Sequence, residues 1–210
     1  MVDLSKRPYH HRNLPNALRA AARSILDEDG LEGVGLREAS RRVGVSATAA
    51  YRHFSGKEDL LASVAAQGFR ELSARLDAAT KERGALLGIS LAYIDFAQRN
   101  HGLFRLMFGP VLADRAKYPE LKDAAANAFR FMQAADSPDD PTLEVKSKTM
   151  ATWGLIHGLS SMCIDGLIPE ERVAPLAQDI LTSAAKSPSV FAWWRPVKSP
   201  SGGPAALSPA

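Results

Sequence analysis

The chain has 210 residues, 46% apolar and 23% charged, a globular composition with room for one large or two small domains. A net charge of +3 excludes action through bulk positive charge, and a single cysteine, Cys163, excludes an intrachain disulfide. The opening residues lack the apolar run of a secretion signal, so a cytoplasmic protein is expected.

Residues 1–13 are basic and polar and are expected to form a flexible arm. Lys6, Arg7 and Arg12 could reach a minor groove, or the arm could be an untethered terminus. His10 and His11 are adjacent and have no companion ligands, so no metal site is expected, and no cofactor motif is present. From Pro15 to Asp29 the apolar positions Leu18, Ala22, Ile25 and Leu26 recur at helical spacing, and Gly30 ends the helix.

Residues 35–61 hold two short helical patterns around a tight turn. Leu36, Ala39, Ser40 and Val43 share one face; Gly44 stops the first helix, because glycine enters the left-handed region without penalty. Ser46 is placed to N-cap a second helix of about two turns ending near Phe54. Ser55 can cap the helix that starts at Lys57. The layout is helix-turn-helix, whose second helix enters a DNA major groove. Ala47, Ala49 and Ala50 allow close approach, Thr48 offers a hydroxyl and a methyl, and Tyr51, Arg52 and His53 can reach phosphates or bases. The bare pattern also fits a plain solvated hairpin. The small core around it is expected to comprise Leu18, Ile25, Leu26, Leu31, Val34, Ala39, Val43, Val45, Tyr51, Phe54, Leu60 and Leu61. Arg19, Arg23, Arg37, Arg41, Arg42, Arg52 and Lys57 should make this end of the molecule positive, as a polyanion partner requires.

The run G-V-S-x-x-x-x-Y-R-H-F-x-x-K-E-x-L-L, Gly44 to Leu61, resembles the DNA-binding signature of the tetracycline-repressor (TetR) family of transcriptional regulators. The resemblance implies that Arg37 approaches a base or the adjoining backbone. It places Ala47, Thr48 and Ala49 against bases and assigns phosphate contacts to Tyr51, His53 and Lys57, the last aided by a helix N-terminus. Gly35 departs from the Ser or Thr of many members, which weakens the usual cap there.

Beyond the head the helical period continues with no convincing strand alternation, so the fold class is all-α. A long helix from Lys57 to about Glu82 should connect the head to a C-terminal helical domain. Further helices are expected over Leu86–Asn100, within 101–110, over Pro119–Ala135, over 142–165 and over Glu170–Ala185. S-P-D-D-P at 137–141 is a loop, V-F-A-W-W at 190–194 a short apolar tag, and 196–210 a disordered tail. The stretch Met150–Ile168 carries His157 and Asp165 and is too polar for a membrane span. The expected division is a basic arm (1–13), a helix-turn-helix domain (14–61), a helical ligand-binding and dimerisation domain (62–195) and the tail.

N-x-x-L-F-x-L-M-F at 100–108 resembles the short sixth helix of the same family's ligand domain. Trp153, His157 and Gly158 resemble a Trp–His–Gly motif of one subgroup. Tyr93, Phe96, Phe104, Met107, Phe108, Phe129, Met132, Trp153 and His157 combine large apolar surfaces with a few polar tips, as small-molecule pockets do. Taken singly, each could equally fill a core. For His157 a backbone carbonyl partner is preferred over a ligand contact. The last two helices carry more apolar surface than one monomer needs; Ile156, Leu159, Met162, Cys163, Leu176, Ile180, Leu181 and Ala184 are the expected dimer seam, or else plain core. The resemblance implies a homodimeric repressor on palindromic operator DNA, released by a small hydrophobic molecule. No phosphate loop, zinc-protease motif or nucleophile elbow supports an enzyme. The alternative is a non-enzymatic helical carrier or a nonspecific DNA-binding protein.

Overall fold

The computed structural model describes residues 13–80, 85–136 and 147–186. The expectations for the arm up to residue 12, the 137–141 loop, the start of the 142–165 helix, the 190–194 tag and the tail lie outside the described residues. Among the described residues all regular structure is helical. The order is α1 (Leu14–Gly33), α2 (Leu36–Val43), α3 (Ala47–Tyr51), α4 (Lys57–Thr80), α5 (Ala85–Arg99), α6 (His101–Phe108), α7 (Pro119–Asp136), α8 (Ser147–Ile164) and α9 (Glu170–Lys186), with short 3-10 turns at Pro110–Leu112 and Arg115–Lys117.

Leu18, Ala22, Ile25 and Leu26 of α1 are buried, as their spacing predicts. Gly30 has φ +70°, so the helix breaks there and a last turn to Gly33 follows in a new direction. The head is α1 to α3 closed by the first turns of α4, around Leu36, Ala39, Ala50, Phe54, Leu60 and Leu61. Leu31, Val43 and Val45 pack on this core from partly buried positions. Tyr51 does not join it, being 54% exposed.

α4 is the spine. It packs on α1 in the head and on α5, α6 and α7 beyond it. One continuous core runs from Leu14 through Leu72 and Leu76 of α4 to Ile156 of α8. Ile94, Leu159, Val173 and Ala177 form a second, smaller cluster where α8 and α9 meet α5. Arg23 ties head to body: its guanidinium donates to Asn100 Oδ1 and lies 3.8 Å from Glu71, while Asn100 Nδ2 donates to Phe96 O at 2.7 Å.

Several head arginines are paired within the molecule. Arg41 donates to Glu38 at 2.7 and 2.8 Å. Arg42 reaches Glu38, Glu28 and Asp29 at 2.7 to 3.2 Å. Arg19 donates to Ser63 of α4 at 3.0 Å and to Asn16. The expected positive surface is therefore narrower than the cation count suggests, because carboxylates that sequence distance hides neutralise part of it.

Hydrogen bonds from Arg41 and then Arg42 hold the Glu38 carboxyl down at about 2, below its ordinary 4.5. A carboxylate depressed by folding stabilises the fold above the unfolded value and loses that contribution as pH falls through the folded one. Glu38→Gln should therefore lower the melting temperature at neutral pH, with the gap to the parent closing between about pH 4.5 and about 2. Solvent screens these pairs, so the gap is small. A pH-independent gap in thermal melts would contradict the assignment.

Candidate functional site

The reading unit is built from its turn outward. Gly44, at φ +76° and ψ 31°, closes α2 by donating to the Ser40 and Arg41 carbonyls. A side chain there would be strained, since φ is positive. Ser46 then caps α3, its hydroxyl accepting from the Ala49 N–H at 3.2 Å. α3 is shorter than expected. It ends at Tyr51 because the N–H groups of His53 and Phe54 both turn back to Ala50 O, at 2.9 and 3.0 Å. Arg52 and His53 therefore lie in a turn and not on the helix.

Ala50 is fully buried and anchors α3 in the head. Arg37, Ser46, Thr48, Tyr51, Arg52 and His53 are exposed, while Ala47 and Ala49 are half-buried. Lys57 is half-buried at the start of α4, with its ammonium 3.5 Å from Glu32 O. Ser55 does not cap α4 by accepting a bond. Its N–H and hydroxyl both donate to Asp59 Oδ2, at 2.8 and 3.1 Å, so the carboxylate reaches back over the first turn. Gly35 precedes α2 in an extended conformation with no side chain to cap it.

At the far end of the same spine lies a cavity of about 340 Å³. α4 supplies Phe69, Leu72 and Leu76; Tyr93 and Phe108 close one side and Ala125, Phe129 and Met132 of α7 another; Trp153 of α8 completes the wall. Five expected pocket residues, Tyr93, Phe108, Phe129, Met132 and Trp153, are thus brought together. Phe96, Phe104, Met107 and His157 are not on the wall. Phe96 is fully buried, with the Arg75 guanidinium 5.7 Å from its ring centroid. Met107 packs so tightly on Gly68 of α4 that a Cβ there would lie 2.7 Å from its Sδ. Phe104 sits behind the wall in edge contact with Tyr93 at 5.6 Å and 4.9 Å from the ring of Phe108.

His157 is stacked between Trp153 and Phe104, at 5.1 and 5.2 Å. Its Nδ1 partner is the Tyr93 hydroxyl at 2.8 Å, 64 residues away, and not a backbone carbonyl. Burial lowers the imidazole pKa from 6.5, so the ring is neutral at physiological pH, and burial raises that of Tyr93, so its proton stays. Tyr93 therefore donates to His157. These two polar tips thus engage each other.

Two wall residues are invisible to the helical period. Arg115 comes from a 3-10 turn; its Nη2 donates to Met107 O at 2.8 Å and its guanidinium lies 5.1 Å from the Phe69 centroid. Lys122 stands on the exposed side of α7. A second, more polar cleft of about 340 Å³ separates the head from the start of α7, bounded by Pro15, Arg19, His53, Asp59, Lys117 and Tyr118. Across this junction the Tyr118 hydroxyl donates to Glu58 at the start of α4, at 2.9 Å.

The expected seam on α8 and α9 divides in two. Ile156 has no exposed surface and Leu159 has 7%; both are packed within their own chain and leave little or nothing for a partner to touch. Met162 and Leu176 are 42% and 36% exposed, and Cys163, Ile180 and Leu181 are half-buried. Met150, at the start of α8, and Leu167, just after it, are also exposed and were not anticipated. A Cβ added at Gly154 or Gly158 would meet nothing, so no described helix of this chain covers that face of α8. Ala184's side chain lies outside the described residues. Among the described residues no group of acids, histidines and cysteines could hold a metal ion, and no helix is long and apolar enough to cross a membrane.

Residues 18–64 match bacterial regulatory proteins of the tetR family, and residues 86–184 match the tetracyclin repressor-like C-terminal domain. The two together cover more than two thirds of the chain. Over 87 residues it is 33% identical to the uncharacterized HTH-type transcriptional regulator YobS of Bacillus subtilis (strain 168). That match takes in 40% of this chain and 46% of YobS, so it spans less than half the relative's length. Similar solved structures include a protein with unknown function from Rhodococcus sp. RHA1, with TM-score 0.69, 26% identity and coverage of 83% of this chain and 96% of that one. A transcriptional regulator from the same organism has TM-score 0.61 and 25% identity, covering 79% and 92%. The chain belongs to the tetR family of bacterial regulatory proteins: it is a DNA-binding transcriptional regulator of the helix-turn-helix type, not an enzyme.

Proposed function

We propose that the protein is a repressor that binds palindromic operator DNA as a homodimer in the cytoplasm and is released by a small hydrophobic molecule. One observation carries this reading: α4 both closes the head, through Leu60 and Leu61, and walls the cavity, through Phe69, Leu72 and Leu76. A ligand that prefers one setting of α4 shifts the head with it; only differential affinity for the two settings can do so. Arg37, Ser46, Thr48 and Arg52 are the exposed reading surface, Tyr51, His53 and Lys57 the phosphate anchors, and Ala47 and Ala49 the close-approach positions facing bases. Trp153, His157 and Gly158, which resemble a Trp–His–Gly motif of one subgroup, support assigning the chain to it. The dimer seam is the face of α8 and α9 bearing Gly154, Gly158, Met162, Leu176 and Ile180, where exposed apolar side chains flank an uncovered small-residue stripe. The domain limits proposed remain 14–61 for the head and 62–195 for the body.

The test pairs sedimentation with selection of operators from random duplexes. Two protomers per selected duplex, with an inverted repeat enriched, are expected. A monomer at micromolar concentration, or equal affinity for all sequences, would overturn the reading in favour of a carrier or a nonspecific binder.

A further inference from the structure

The cavity beside α4 has a one-sided charge. Its walls are aromatic and aliphatic, and its charged lining groups among the described residues are two cations, Arg115 and Lys122. Among the described residues neither cation has a carboxylate partner within ion-pair distance. Arg115 is bonded to Met107 O at 2.8 Å and lies against the face of Phe69. It is half-buried, and burial lowers its pKa: a carbonyl and a ring offset part of the desolvation, but no carboxylate does. Such a group is costly to keep in an apolar setting and favours an anion that restores its pairing. The Tyr93 hydroxyl in the wall offers nothing comparable, being engaged by His157.

From this arrangement we infer that the cavity selects a compact anionic amphiphile, an aromatic or medium-chain carboxylic acid. Its carboxylate lies at Arg115 and Lys122 and its apolar body lies against Phe69, Phe108, Phe129 and Trp153. The volume, about 340 Å³, is near the lower end of the range for small-molecule pockets, roughly 300–1,000 Å³, so the body is compact. The guanidinium supplies a planar fork that fits a carboxylate, and the lysine a second charge at the exposed rim. The inference names the ligand class of the effector site proposed above and rests on that reading for its regulatory meaning, not for its chemistry.

The experiment is calorimetric titration of the full chain with 2-naphthoate and octanoate, each against its uncharged amide. A charge-assisted hydrogen bond in such a site corresponds to about tenfold or more in affinity, so each acid should bind at least about tenfold tighter than its amide. Arg115→Gln should bring the ratio close to one while leaving amide affinity in place. Lys122→Gln, on the exposed side of α7 where folding is not at issue, should reduce the ratio severalfold, and added salt should act in the same direction. Equal binding of acid and amide, a ratio unmoved by both substitutions, or no binding of either acid overturns the inference. DNA release is measured in parallel and separates the two readings. Release by amides alone keeps the effector site and overturns the acid class. Acid preference without release keeps the class and overturns ligand control.

Discussion

Phe104→Ala is expected to lower the free energy of unfolding by about 3–5 kcal/mol, the usual cost of emptying a buried phenylalanine site. The ring is 2% exposed and is enclosed by Tyr93, Phe108 and His157 at centroid distances of 5.6, 4.9 and 5.2 Å. Helices cannot close a hole framed by rings from three elements, so the void persists. Phe129, by contrast, is half-buried on the cavity wall, in edge contact with Trp153 at 6.1 Å. Its truncation merely widens a space that already exists. Urea titrations of the two variants should therefore rank Phe104→Ala well below Phe129→Ala in stability. The reverse order would show that Phe104 faces the cavity after all.

That contrast marks where the sequence stops being informative. Helical period tells which positions point inward, and it places Leu18, Ile25, Leu72 and Leu76 correctly in the core. It cannot tell whether an inward residue ends on a wall or behind one. Phe104, Met107 and Phe96 satisfy the same pattern as Phe108, yet only Phe108 reaches the cavity. The same blindness affects α8, where Ile156 and Met162 both extend an apolar run, one with no exposure and one with 42%. Turn chemistry is more local and more legible. Gly44 and Ser46 do what their residue types require, because a positive φ and a capping oxygen are properties of single positions. Long-range polar partners are not legible at all. The Tyr93 hydroxyl of α5 on His157, and the carboxylates of α1 on Arg42, depend on which helices become neighbours. Arg115, from a 3-10 turn with no apolar period to flag it, escapes a sequence reading for the same reason.

The assembled geometry gives the proposed switch a physical route. Phe69 faces the cavity and carries the Arg115 guanidinium. Three residues after Arg115, the Tyr118 hydroxyl holds Glu58 at the head end of α4. Arg23 clamps α1 to Asn100, which in turn bonds the α5 backbone. Gly102 lets α6 approach the end of α1 so closely that an added Cβ would lie 3.0 Å from Leu26 O. Head and body thus share one apolar core, reinforced at their junction by a few polar ties and one tight backbone approach. In the proposed switch, a shift of α4 or of the 115–118 segment carries across this close-packed junction to the head.

Thr48→Asp should abolish operator binding while leaving the fold intact. Thr48 is exposed in the first turn of α3, where no packing depends on it and where a carboxylate suits the positive end of the helix. Thermal stability should therefore be unchanged or slightly raised. Against a duplex the same carboxylate faces phosphates and base-edge acceptors. Like charges brought together at an interface cost several kcal/mol, about a hundredfold or more in Kd. Arg42→Ala supplies the opposite control. Its guanidinium is occupied by Glu28, Asp29 and Glu38, so its loss should weaken the head without changing the salt slope of binding. Lys57→Ala should make that slope shallower by about one phosphate contact, uniformly across sequences. Anisotropy titrations at three salt concentrations distinguish these outcomes. Full operator affinity in Thr48→Asp would remove α3 from the groove, and a slope change in Arg42→Ala without one in Lys57→Ala would move the DNA surface to the other side of α2.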